Sequence, residues 1–331
     1  MSLLKDGFNY EILRAILKML SDERYEWKDE ELHYFLSQFI PHVISCDDNK
    51  KIFNFSHDMV KEAVYSQVEN VGEAREKILE VLGEILEEII RKENLEEMDE
   101  ELSDEKKAFV TEEIFYQADE IINCKERDER LMSIAFISSK ILTEYGARRK
   151  IPLLSYEYGK KALYYAEKLE LWFEALEIAI HVLVHTYELL IPEEEARTLY
   201  NKVDGVFSKA IKLNEDWARY RYAFAMKYWV FYVLYSLNNP KEAASFLKKA
   251  FNEVGSKDSR KIKDEFLWYN AYVALLETKS YLFSYKENFK KALKVRKKEE
   301  ELLEEYFKDN IINRVGRKKP TKINLYLEMI L

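Results

Sequence analysis

Residues 196–203, ARTLYNKV, and residues 243–250, AASFLKKA, decide how this chain is read. In each, a small residue (Ala196, Ala243) is followed four positions later by a packing residue (Tyr200, Leu247) and seven positions later by another (Val203, Ala250). Those steps place all three side chains on one stripe of a helix, and the small residue marks where a second backbone approaches. Ala175, Ala179 and Val182 echo the pattern, and NFKKALKV at 288–295 repeats it once more.

The spacing is that of the second helix of a tetratricopeptide-like repeat, at intervals longer than the usual repeat of about 34 residues. The expectation is a mainly α chain, with residues 108–331 forming an α-solenoid of antiparallel helix pairs whose helices are lengthened. Composition agrees. Eight Gly and five Pro among 331 residues leave little punctuation for strands and tight turns. A net charge of -9, from 52 basic and 61 acidic side chains, argues against a general polyanion binder. Cys46 and Cys124 have no metal or disulfide spacing, and MSLLKDGFNYE has no apolar run for a signal peptide, so a reducing, cytoplasmic setting is expected. Glutamine is confined to Gln38, Gln67 and Gln117 among abundant Lys and Glu, a balance found in thermophiles.

The first 70 residues differ. FNYEILRAILKML and DEELHYFLSQFI carry helical periodicity, and HVISC and KIFNF flank a polar DDNK turn as in a hairpin. Ser56 caps a third helix, with Asp58 in its first turn. Residues 1–70 therefore read as a small winged-helix-like domain. Residues 71–107 read as a connecting helix and acidic linker, with Ser103 capping the helix that follows.

No catalytic motif is present. YGKK at 158–161 lacks the glycine and hydroxyl that complete a phosphate cradle, and no G-x-S-x-G occurs. His57 and Asp58 are neighbours at a helix start and point apart, which disfavours an acid and base pair. His181 and His185 stand one turn apart without a third ligand, so they read as helix histidines, not a metal site. The aromatic segment RYRYAFAMKYWVFYVLYSL, 219–237, is interrupted by Arg219, Arg221 and Lys227 and reads as a repeat helix, not a membrane span. Tyr220, Phe224, Tyr228, Phe231 and Tyr235 follow helical spacing within it, and Trp268 and Tyr272 are expected on a neighbouring helix. A thick core is one reading of these rings; the candidate partner-binding set is Tyr220, Tyr228, Tyr235, Trp268 and Tyr272. The basic cluster Lys290, Lys291, Lys294, Arg296, Lys297 and Lys298, and a second one at Arg314, Arg317, Lys318 and Lys319, read as solvated faces because no aromatic residues interleave them. DNA recognition by the winged helix is opposed by Asp29, Glu30 and Glu31 at the start of the presumed recognition helix, and by thirteen acidic against eight basic side chains over 1–70.

GFNYEILRAIL, WKDEELHYFLSQFIPHVIS and FNFSHDMVKEAVYSQV together resemble the winged-helix segment that follows the nucleotide-binding domain in STAND ATPases, the group of the maltose-regulator type transcription activators. Phe53, Phe55, His57, Asp58, Ala63 and Tyr65 fill the group's phrase, and tetratricopeptide-type repeats usually follow it. The resemblance implies a signal-transduction regulator acting in transcription regulation, of which this chain is either the C-terminal part or a shortened relative. The group's phosphate-binding loop and magnesium-binding strand have no counterpart, so neither ATPase activity nor a cofactor is carried over. His57 and Asp58 would contact the nucleotide-binding domain of the same polypeptide. The ending INLYLEMIL, apolar without a capping residue, fits a longer chain. The reading is thus a non-enzymatic interaction or sensor module for a protein, peptide or regulatory ligand, with no nucleic acid and no membrane partner. A winged-helix DNA-binding transcription regulator is the alternative.

Overall fold

The computed structural model describes residues 4, 12–14, 28–38, 44–47, 52–55, 70–94, 100–124 and 128–310. The chain is mainly helical and forms two compact units, Met1–Arg149 and Lys150–Leu331.

In the first unit, helix α1 (Asp29–Ser37) precedes a two-stranded antiparallel hairpin, β1 (Ile44–Asp47) and β2 (Ile52–Phe55), in which Ile44 lies opposite Phe55 and Asp47 opposite Ile52. Helices α2 (Val71–Asn94), α3 (Glu100–Cys124) and α4 (Glu129–Arg148) follow, each packed on the next. The apolar stripe of α2 makes the core: Ile78, Leu82, Ile85 and Ile89 form one buried cluster with Leu4, Ile12, Leu32 and Leu36 and with Val110 and Ile114 of α3. Arg75 is buried between α2 and α3, donating to Gln117 Oε1 at 2.8 Å and pairing with Glu120 at 3.1 Å. The sequence boundary at 107 falls inside α3, and Ser103 lies within that helix instead of capping it. The physical reason is that residues from Val110 onward already share the α2 core, so the helix extends back through the polar stretch that reads as a linker. Residues 56–69, with His57, Asp58 and the expected third helix, lie outside the described residues.

The second unit contains α5 (Pro152–Lys168), α6 (Trp172–Glu188), α7 (Glu193–Ala210), α8 (Glu215–Phe231, continued by a π-helical turn Tyr232–Ser236), α9 (Pro240–Val254), α10 (Glu265–Tyr285) and α11 (Phe289–Asn310). These pack as consecutive helix pairs. The helices α6, α8 and α10 lie side by side, with α5, α7, α9 and α11 behind them in alternation. Alanine marks the crossings: Ala162, Ala175, Ala179, Ala196, Ala210, Ala218, Ala243, Ala250 and Ala271 are all fully buried. A larger side chain there would hold the backbones apart.

Helix ends are set locally. Asn214, Asn239 and Asp264 cap α8, α9 and α10 by accepting from the amides of Trp217, Glu242 and Leu267. The turns after α5, α6, α8 and α10 each place one residue in the left-handed region, namely Glu170, Leu190, Asn238 and Glu287 at φ of 56°, 51°, 50° and 55°. None is glycine; asparagine tolerates this region, so the strain falls on the turns at Glu170, Leu190 and Glu287.

Ion pairs link helices of neighbouring pairs. Lys160 to Glu195 (2.9 Å) and Lys202 to Glu167 (3.5 Å) join α5 to α7. Arg197 to Glu242 (2.8 Å) and Lys249 to Asp204 (2.7 Å) join α7 to α9. Arg221 to Glu177 (2.9 Å) and Lys227 to Glu277 (2.7 Å) do the same for α8 with α6 and α10. Among the described residues no helix is long and apolar enough to cross a membrane.

Candidate functional site

Helix α8 has two faces of different chemistry. Ala218, Tyr222, Ala225, Met226 and Trp229 are buried, whereas Tyr220, Phe224, Tyr228 and Phe231 recur at three- and four-residue steps on a half-buried stripe. The π-helical turn inserts one extra residue: Tyr232, Val233 and Leu234 remain buried, and Tyr235 emerges 42 % exposed at the end of the stripe. Tyr232 fixes that turn by donating to the Ile191 carbonyl at 2.7 Å.

The flanking helices bring further rings to Tyr235 and Phe231. Tyr187 of α6 lies 5.8 Å from Tyr235 between ring centroids, Tyr285 of α10 lies 5.5 Å from it, and Tyr281 of α10 meets Phe231 edge-on at 5.5 Å. Four tyrosines from three helices therefore share one surface, with Tyr187 and Tyr281 each 39 % exposed. Burial pushes the Tyr235 phenol above its usual range, with the neighbouring Tyr187, Tyr281 and Tyr285 adding to the shift, so it stays a neutral donor. The Tyr285 hydroxyl donates to Asn238 Oδ1 and ties the face to the turn after α8. Arg296 of α11 lies over the Tyr281 ring at 5.2 Å and pairs with the buried Glu299 at 2.9 Å. Rings with hydroxyl edges, held by rigid helices, can grip apolar side chains while donating hydrogen bonds to a peptide backbone.

Three of the sequence-derived candidates, Tyr220, Tyr228 and Tyr235, share this stripe. Tyr220 packs edge-on against Phe224 at 5.1 Å, and Tyr228 against Phe231 at 6.5 Å. The other two do not join them. Trp268 is fully buried, donating from Nε1 to the Gly255 carbonyl at 3.3 Å. Tyr272 stacks on it at 4.8 Å and faces α9, against Phe251 at 5.4 Å. Tyr187, Tyr281 and Tyr285 are the residues that the sequence reading did not include. No sequence signal marks them; in the structure Tyr187 and Tyr235 each stand three positions before a left-handed turn residue, Leu190 and Asn238. His185 is buried, with Nδ1 2.7 Å from Glu188, and His181 is half-buried on the same helix. Among the described residues no group of three or more His, Cys, Asp or Glu side chains is placed to hold a metal. No protein-family model, curated protein or solved structure matches this chain.

Proposed function

We propose that this chain is a non-catalytic interaction module that docks an extended segment of a partner protein on the face shared by α6, α8 and α10. The observation that carries the reading is the contact of Tyr187 and Tyr281 with the α8 rings Tyr235 and Phe231, which leaves one partly exposed aromatic surface spanning three helices. Such rings bury large apolar area on binding and lose little side-chain freedom, which suits anchors for aliphatic or aromatic side chains of a peptide. In this proposal the helix pairs are tetratricopeptide-like repeats, α1 and its hairpin belong to a winged helix, and the chain is the sensor part of a STAND-type regulator. The order of helix, hairpin and helix pairs supports that assignment. Glu30 and Glu31, exposed in the first turn of α1, oppose the alternative of duplex binding by this module.

The test is a random peptide library panned against the full chain, with selected peptides assayed by fluorescence anisotropy. Replacing Tyr235 and Tyr281 together by Ala is expected to weaken selected peptides about tenfold or more, with the helical circular-dichroism signal unchanged. Selected peptides that bind the double variant as tightly as the parent overturn the site. Enzyme-like turnover of ATP by the chain overturns the non-catalytic reading.

A further inference from the structure

The gaps between α5 and α7 and between α7 and α9 are bridged by lysine–carboxylate ion pairs, but the gap between α9 and α11 is built differently. It is an open groove of about 1200 Å³, floored by α10 and bounded at one end by the loop after α9. Lys248 enters it from α9, Lys279 from α10 and Lys286 from the cap at its C-terminal end, Lys291, Lys294 and Lys298 from α11, and Lys261 from the loop. No Asp or Glu lines it. Among the described residues none of these seven lysines pairs with a carboxylate, in a chain whose net charge is -9.

Seven like charges around one concavity repel one another, and only counter-ions or a bound anion relieve that cost. The floor is not polar. Phe251, Tyr272 and Phe283 supply rings, and Lys279, Lys298 and Lys291 lie over them at 5.5, 5.6 and 5.9 Å. The aromatics that appear missing when α11 is read alone thus arrive from α9 and α10. Gly255 shapes the end wall at φ 80°, where a Cβ would stand 2.2 Å from the Ser259 carbonyl oxygen.

We infer that this groove is a second binding site, for an acidic protein segment that carries apolar side chains between its carboxylates. The chain itself shows the chemistry: one and two gaps earlier, carboxylates of Glu195 and Asp204 sit on Lys160 and Lys249 between the same series of helices. In the last gap a partner supplies them. The chain's own continuation at 311–331 does not fit the role, since it carries Arg314, Arg317, Lys318, Lys319 and Lys322 against Glu328 alone. From Tyr272 to Lys286 the floor runs about 21 Å along α10, the length of about six extended residues. A free phosphate or a single nucleotide would leave most of that floor empty. This site lies on the other side of α10 from the aromatic face and does not depend on it.

The full chain is titrated by anisotropy with a labelled peptide of alternating Glu and Leu, and separately with labelled oligothymidylate. The peptide is expected to bind with a marked salt dependence and to weaken about tenfold or more when Lys279, Lys291 and Lys294 are together changed to Gln. The same three positions changed to Arg retain binding, which separates lost charge from a folding defect. In the parent chain, bound peptide protects Lys291 and Lys294 from acetylation. Changing Tyr235 to Ala leaves this binding intact, so the two surfaces fail or stand separately. No peptide binding, or binding indifferent to the Gln changes, overturns the inference. Tighter binding of oligothymidylate with the same lysine dependence also overturns it, in favour of a nucleic-acid groove.

Discussion

Arg197 of α7 grips both carboxylate oxygens of Glu242 on α9, from Nη1 at 2.8 Å and Nη2 at 3.1 Å, while its Nε binds Glu193 one turn away at 2.7 Å. The two carboxylates hold the guanidinium protonated beyond its already high range. An ammonium cannot reproduce that fork. Arg197→Lys is expected to cost about 0.5–1 kcal/mol in urea denaturation, modest because the pair is partly exposed.

Asp204 collects three partners. It accepts from the buried Tyr222 hydroxyl at 2.6 Å and from Lys249 at 2.7 Å, and the Tyr200 hydroxyl is 3.5 Å away. Burial, then the bond to Asp204, pushes the Tyr222 phenol far above its ordinary value. Asp204→Ala leaves a buried hydroxyl unpaired and is expected to cost about 2–3 kcal/mol. Asp204→Asn keeps an acceptor and is expected to cost about half as much. Equal losses in the two denaturation curves would contradict the assignment.

Acid weakens the links between pairs. The hydrogen bond from Lys160, assisted by Tyr156, lowers the Glu195 carboxyl, and the bond from Arg197 lowers Glu242, both from an ordinary value of 4.5. A carboxylate depressed in the folded state stabilises it above 4.5, and that contribution is lost as pH falls through the depressed values. Thermal midpoints are therefore expected to fall below pH 4.5 in the parent chain. Glu242→Gln should flatten that decline, and an unchanged slope would remove Glu242 from the account.

Left-handed turn residues offer a gain. Leu190 sits at φ 51° and is 72 % exposed, so its side chain contributes little packing to offset the strained backbone. Leu190→Gly is expected to raise stability by about 0.5–1 kcal/mol, the reverse of the usual effect of glycine. Gly255→Ala is expected to destabilise by about 2 kcal/mol or more, because its Cβ meets backbone and not a movable side chain.

The helix pairs were legible because a small residue followed four and seven positions later by packing residues has one physical cause, close backbone approach, and Ala196, Ala243 and Ala250 are fully buried. The α8 stripe was legible for the same reason: one face is apolar and packed, the other aromatic and wet. The side on which Trp268 and Tyr272 lie was not. Trp268, Tyr269, Asn270 and Ala271 are four consecutive buried residues, so α10 is covered all round over this turn and the sequence there carries no period that singles out a face. The lysine groove was hidden because its charges come from α9, α10 and α11 together, and no single helix shows them surrounding an aromatic floor. Tyr187 and Tyr281 are each only one side chain in an ordinary helix until the neighbouring helix brings a ring to them.

The ion pairs between neighbouring helix pairs have a mechanical consequence. Arg221 and Glu177 are 44 residues apart, Arg197 and Glu242 are 45, and Lys227 and Glu277 are 50. Each such bond spans one step of the stack, so tension applied at its end loads one interface at a time. Drawn out from α11 by optical tweezers, this unit should lengthen in a series of small releases. Each release would free one pair and leave the helices behind it folded and able to rewind when the force is removed.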